Sequence, residues 1–298
     1  MPAVMRFLFE ERDARDLAAM RITLGLLLLA WWLALWPDLT LWFSDRGPVD
    51  TELLDTNWSI YRSHFLDGLS DGQLQAVHVA GLVAILAFTV GFGTPLMNIV
   101  IVFLLAAYWH RSPWIQNGGD RLLRIFTFYM LFTDSGRAWS VDARLRGATD
   151  ATAPVFSMRL IQLQLIVMYT YTGIAKCSGF TWLDGSAIYY SLSDIGYSRF
   201  PALTDAILPL KPVRAVLALL TWITLVWEVF FAPLVIWRRT RMATLIVGVL
   251  VHVGIFGLLA VGIFSWSTLW GYLAFLPSGW AVRLVDGVKA RLRGPQTA

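Results

Sequence analysis

Cysteine is nearly missing from the chain. Cys177 stands alone among 298 residues, which excludes an intrachain disulfide and any metal site built on several thiolates. Histidine is scarce too: His64, His78, His110 and His252 are scattered, without the clustered carboxylates or second histidines that hold a metal ion, so no metal is expected. Charged residues make up only 15% of the chain against 57% hydrophobic ones, and the mean hydropathy is +0.61. So little charge cannot clothe a water-soluble surface, and the composition is that of an integral membrane protein. No repeat and no low-complexity tract is present, and residues 1–298 read as a single transmembrane domain without a separate soluble one.

What is abundant fits a bilayer. Fifteen Trp and eighteen Phe supply rings that favour the headgroup boundary. The net charge of +4 and pI near 9.4 do not point to nucleic acid, because the basic residues lie between apolar spans. They read as charges that set topology. Near the N-terminus, MPAVMRFLFEERDARD carries acids and no small-residue cleavage site, so the first apolar run is expected to stay as an anchor.

A spanning helix needs about 20 mainly apolar residues. The candidates are Leu17–Trp36, Leu74–Phe92, Leu96–Trp109, a short Leu122–Phe132, Leu160–Ile174, Ala215–Trp237, and Met242–Leu276. The last is too long for one crossing and is predicted to break near Gly262–Ser265. The fold class is therefore all-α, a polytopic bundle of about eight transmembrane helices in the cell membrane. With the N-terminus inside, inner segments carry fifteen Lys and Arg and outer segments eight. Both termini are then cytoplasmic, and the outer loop Pro37–Gln73 is acidic, with Asp38, Asp45, Asp50, Glu52, Asp55, Asp67 and Asp71. Lys176 falls at the extracytoplasmic end of the fifth helix on this reading.

Ionisable groups at membrane depth are expensive, about 2.5–3.5 kcal/mol each on insertion scales, and so point to function. Glu228 and His252 lie at equal predicted depth on consecutive antiparallel helices, which makes a hydrogen-bonded pair of them expected. Such a bond either fixes packing or orients His252 for chemistry. Gln162, Tyr169, Thr172 and Lys176 form a polar stripe at helical spacing amid Leu, Ile and Val. Two readings of Lys176 stay open. Its ammonium snorkels to interfacial water, or the stripe faces the protein interior and burial disfavours the ammonium, leaving a neutral amine that can take a proton. Gly118-Gly119 lacks the lysine and preceding strand of a phosphate loop and reads as a tight turn before the short fourth helix.

A succession of segments also resembles a known family. RITLG in the first span, GFGT after the second, NGGDRLLR, WSVDA, LIQLQLIVMYTYTGIAK followed by WLDG, then WEVFFAP and HVGIFGLLAVGIFSW, resemble the horizontally transferred transmembrane domain, the membrane part of vitamin K-dependent γ-carboxylases. The likeness runs from about Arg12 to Pro277. It implies an eight-helix domain in which reduced vitamin K reacts with oxygen to form a strong base that deprotonates peptidyl glutamate before CO2 adds. The family's catalytic lysine falls on Lys176 and its late histidine on His252, with Glu228, Tyr169, Thr172, Gln162, Asn117 and Asp120 as supporting residues. A reduced quinone is the cofactor the resemblance implies. Two departures stand against it: Gly118 occupies the place of a family histidine, and the large extracytoplasmic propeptide-binding domain has no counterpart in these residues. Carboxylation of a propeptide-bearing protein is therefore not expected.

The expected function is an integral membrane enzyme doing base chemistry on a quinol-like or lipid-soluble substrate near the outer leaflet. The alternatives are a non-catalytic partner in maturation of a secreted peptide, as some bacterial members are linked to peptide-toxin production, and a proton-coupled transporter using Glu228 and His252. The partners expected are the lipid bilayer and a small lipid-soluble or peptide substrate.

Overall fold

A computed structural model describes residues 3–49, 51–58, 62–147 and 152–293; Asp50 of the expected acidic loop lies outside the described residues. In chain order the principal elements are β1 (Glu11–Asp13), α1 (Ala14–Ala34), α2 (Asp71–Val90), α3 (Thr94–Arg111), α4 (Gly118–Tyr129), β2 (Thr152–Pro154), α5 (Phe156–Lys176), α6 (Lys211–Val229), α7 (Phe231–Ile236), α8 (Arg241–Leu258), α9 (Phe264–Gly271) and α10 (Trp280–Arg293). The chain is overwhelmingly helical, as its composition predicts, and β1 and β2 form only a three-residue antiparallel ribbon with Arg12 opposite Ala153. Among the described residues four helices, α1, α2, α6 and α8, are long and apolar enough to cross a membrane. α3 and α5 reach 18 and 21 residues, with Asn98, His110 and Arg111 in the first and Gln162, Gln164 and Lys176 in the second. The chain divides into two units, one of residues 1–160 and 273–298, the other of residues 161–272.

In the first unit, α1 packs along α2, with Leu24, Leu28 and Trp32 of α1 and Ile85 and Phe88 of α2 removed from solvent. Gly25 makes the close approach possible, since a β-carbon there would stand 2.8 Å from Thr89 Cβ. His78 is fully buried: it stacks on Trp32 at 4.8 Å, and its Nδ1 lies 3.0 Å from the Tyr108 hydroxyl. α2 and α3 form a hairpin across Gly91-Phe92-Gly93, where both glycines take positive φ (75° and 57°) that a side chain disfavours. The turn is clamped by the helix Val141–Leu145. Asp142 accepts from the amides of Gly93 (2.8 Å) and Thr94 (2.9 Å) and from the Thr94 hydroxyl (2.7 Å), and its own amide donates to Gly91 O. GFGT and WSVDA are thus two halves of one structural joint.

Three arginines counted among the topology-setting charges are buried in this unit. Arg21 donates to the carbonyls of Ser135, Ala138 and Trp139. Arg62 is held by Asp55 and Asp67, and Arg111 by Val49 O, Ser44 O and Asp45. Three acids of the expected outer loop, Asp45, Asp55 and Asp67, are therefore matched by buried cations, as burial of a guanidinium requires. α10 begins where the buried Asp16 carboxylate accepts the amides of Gly279 (2.7 Å) and Ala281 (3.1 Å).

In the second unit two sequence expectations change. Ala215–Trp237, read as one span, is two helices: α6 stops at Val229 and α7 starts at Phe231. Pro233 has no amide to donate to the Val229 carbonyl, so the ladder breaks there. The segment 178–210, left without an expected helix between two spans, contains the short helices Phe180–Leu183, Ala187–Ser193 and Pro201–Ile207. They lie along α6, with the Trp222 indole donating to Leu183 O and Thr221 Oγ1 accepting from the Ile188 amide. Met242–Leu276 does break, between α8 and α9, with Gly262 at φ 59°.

The Asp142 joint generates a pH prediction. Burial pushes its carboxyl up, but the hydrogen bonds from Thr94 and Gly93 outweigh this and hold it below the ordinary 3.8. A folded-state value below the unfolded one means the joint stabilises fully at neutral pH, and the gain fades as pH falls through the carboxylate range. Asp142→Ala is expected to cost about 1–3 kcal/mol at pH 7, read as a lower unfolding temperature in detergent. The gap from wild type should narrow at pH 3.

Candidate functional site

α5 presents two faces. Leu163, Val167, Tyr171 and Ile174 are each more than half exposed, an apolar stripe suited to lipid. The opposite face carries Tyr169, Thr172 and Lys176, and it is there that α5 meets α6, α8 and the end of α9. The close approach of α5 to α6 rests on Gly173, where an added β-carbon would stand 2.7 Å from Val229 N and 2.9 Å from Glu228 C.

Across this contact the Lys176 ammonium pairs with Glu228 Oε2. The Thr172 hydroxyl lies 3.2 Å from the same oxygen and 2.9 Å from Met168 O, so its single proton serves one acceptor at a time. Glu228 is buried, while the Lys176 side chain keeps 23% of its exposure and its nitrogen stands 4.7 Å over the Trp182 ring. About two turns back along α5 from Lys176, the Tyr169 hydroxyl is 2.7 Å from His252 Nε2 and 2.7 Å from the Tyr272 hydroxyl. The Tyr169 ring is packed edge-on against Trp227 at 4.7 Å and tilted against Phe231 at 4.4 Å. His252 Nδ1 is buried without a hydrogen-bond partner among the described residues. A buried polar atom left open in this way calls for an explanation, a catalytic role or an ordered water among them.

The expected Glu228–His252 bond is replaced by two others. Trp227, not Glu228, faces α8, donating to Thr244 O at 3.0 Å. The next residue of a helix is turned by about 100°, which carries Glu228 round to α5. Lys176 does not sit level with the start of α6. Glu228 is 17 residues, about 25 Å, from Lys211, and the ammonium reaches it because α5 ends early and the segment 178–210 continues beside α6. The amine thus has a carboxylate partner rather than an apolar setting alone.

Gln162 is half-buried on α5, seven residues or about 10 Å from Tyr169, at the other end of the polar stripe. Asn117 and Asp120 belong to the first unit, where they close the N-terminus of α4. The Asn117 side chain accepts from Gly119 N and Asp120 N, and Asp120 accepts from Asn117 N at 2.7 Å and from the Trp31 indole at 2.7 Å. This is a capping box, in keeping with Gly118-Gly119 as a turn. Sequence reasoning missed Tyr272, Trp182 and Gly173. Of these Gly173 left a signal, because a glycine inside a helix costs about 0.5–1 kcal/mol relative to Ala and asks for a packing reason.

The family model described as HTTM domain matches residues 9–280, across both units. The sporulation-delaying protein SdpB of Bacillus subtilis (strain 168) is 26% identical over 143 residues, 46% of this chain and 44% of that protein. The uncharacterized protein YitO of the same strain is 29% identical over 198 residues, 63% of this chain and 62% of that protein. The chain therefore spans less than two thirds of the length of either relative. No solved structure matches.

Removing one member of the Lys176–Glu228 pair leaves a buried charge without its counter-ion, which costs about 3–5 kcal/mol. Lys176→Met is expected to lower the unfolding temperature more than the double variant Lys176→Met/Glu228→Gln, measured side by side. Gly173→Leu should reproduce the single-variant loss by forcing α5 from α6; an unchanged unfolding temperature would contradict the close contact.

Proposed function

We propose that this chain, which belongs to the HTTM domain family, is a membrane-embedded enzyme whose Lys176–Glu228 pair takes a proton from a quinol-like or other lipid-soluble substrate. The observation that carries this reading is the pairing of a partly exposed amine with a buried carboxylate, about two turns along α5 from a Tyr272–Tyr169–His252 chain that ends in an open nitrogen. A carboxylate in contact with the ammonium can hold its proton, freeing the amine lone pair for a substrate hydroxyl. Tyr169 bonds to Nε2 of His252 and so orients the ring, leaving Nδ1 for a substrate oxygen or hydroxyl. Thr172 steadies the carboxylate oxygen that Lys176 uses.

A reduced quinone fits this donor set, with the amine–carboxylate pair for a ring hydroxyl, His252 Nδ1 for a second ring oxygen and aromatic surface from Trp182 and Phe264. When bound it would supply an acidic hydroxyl and reducing electrons. Eight crossings with both termini cytoplasmic are part of the proposal. The supports are the basic residues of the inner segments, the four long apolar helices, α3 and α5, and the short helices α4 and α9 continued by 3-10 turns.

A second reading, a non-catalytic membrane partner in maturation of a secreted peptide, is favoured by the similarity to a sporulation-delaying protein, a name that describes an effect on cells rather than a reaction. The transporter reading uses Glu228 and His252, which here bond to Lys176 and Tyr169 respectively.

Purified into lipid nanodiscs, the wild type is expected to retain a quinone detectable by mass spectrometry and to consume oxygen when given a naphthohydroquinone. Lys176→Arg keeps the charge but holds its proton, so turnover should fall at least about 100-fold with the unfolding temperature little changed. Full turnover in that variant removes Lys176 from the chemistry. A wild type with neither quinone nor turnover sinks the enzyme reading in favour of the partner.

A further inference from the structure

Apart from the Lys176 cluster, the first unit holds an open cavity of about 430 Å³, within the range of small-molecule sites. It lies where α3 begins and the 3-10 turn Met130–Phe132 ends α4. Pro95, Met130, Leu131 and Phe132 give it an apolar wall, and Asn98 and Asp134 give it polar groups. Asn98 is only 2% exposed, and its Oδ1 has no hydrogen-bond partner among the described residues. A buried amide oxygen left open costs about 1–3 kcal/mol, a cost that a ligand with an N–H group removes.

The charge around the cavity narrows the choice. The N-terminus of a helix favours anions, but here the amides of Gly93 and Thr94 are already given to Asp142, and the one charged lining residue is Asp134. The interior is therefore a place for a cation or neutral donor. At the edge the balance reverses. Asp134 Oδ2 is approached by Arg137 Nε at 3.2 Å and Arg146 Nη1 at 3.6 Å, so two guanidiniums stand at this edge, with the Asp142 carboxylate, already held by Gly93 and Thr94, also acting on Arg146. An ammonium inside and an anion outside, a few bonds apart, is the pattern of a short zwitterion beside apolar carbon.

We propose that this cavity binds a phosphoethanolamine group. Its ammonium donates to Asn98 Oδ1 and the Asp134 carboxylate, and its phosphate meets Arg137 and Arg146. The apolar wall takes the adjoining carbons when the group is a lipid headgroup. The site lies at helix ends, the level at which headgroups stand in a bilayer, and it shares no residue with the Lys176 cluster.

The test uses the full chain in nanodiscs of equal parts phosphatidylethanolamine and phosphatidylglycerol, with retained lipid counted by native mass spectrometry. The wild type should retain phosphatidylethanolamine selectively, and Asn98→Leu and Asp134→Asn should each reduce that retention about tenfold. Should Asn98→Leu fail to fold, Asp134→Asn, a change at a half-buried rim residue, decides alone. Soluble O-phosphoethanolamine that raises the unfolding temperature of wild type but not of the variants would assign the site to the free compound, with the same chemistry. Equal retention of the two lipids by wild type, or undiminished phosphatidylethanolamine in the folded variants, overturns the proposal.

Discussion

A lysine and a glutamate placed where water is scarce cannot be held there singly, and the second unit is arranged around keeping Lys176 and Glu228 together. The pair needs α5 and α6 in contact at one level, and Gly173 supplies that level by letting α5 rest on the backbone of Glu228 and Val229. It also needs α6 to present Glu228 to α5 rather than to α8, which the neighbouring Trp227 ensures by anchoring to Thr244 O. Because α5 stops at Lys176, the chain that follows can lie against the first half of α6 and bring Trp182 over the ammonium.

The segments that resemble the carboxylases separate by what they do. GFGT and WSVDA meet through Asp142 to close the α2–α3 turn. RITLG supplies Arg21 to three loop carbonyls and Gly25 to the α1–α2 contact. NGGDRLLR caps α4. Only the segments of α5, α6 and α8 bring together groups suited to proton transfer. A shared motif in a membrane domain is thus as often a solution to buried backbone and buried charge as it is chemistry, since both are costly in lipid.

The same cost explains why the polar side chains of α5 were readable and their partners were not. A stripe of Gln162, Tyr169, Thr172 and Lys176 amid Leu, Ile and Val is visible from spacing, which left an inward face and a snorkelling lysine as the two readings. Which groups wait on the other helices depends on rotation about each helix axis, and one residue of error turns a side chain by about 100°. Glu228 and His252 are both buried, but the bond expected between them goes instead to Lys176 on one side and Tyr169 on the other. Tyr272 carried no periodic signal at all, lying where α9 tightens into a 3-10 turn.

Composition, hydropathy and helical spacing were enough to establish a helical membrane protein and the break within Met242–Leu276, because each follows from local cost in lipid. The pairing of Lys176 with Glu228, the depth at which α5 ends, the burial of Arg21, Arg62 and Arg111, and the use of Asn117 and Asp120 as a cap were decided by tertiary structure. These depend on which surfaces meet, and contact between distant segments is set by the packing of whole helices rather than by any stretch of residues read alone.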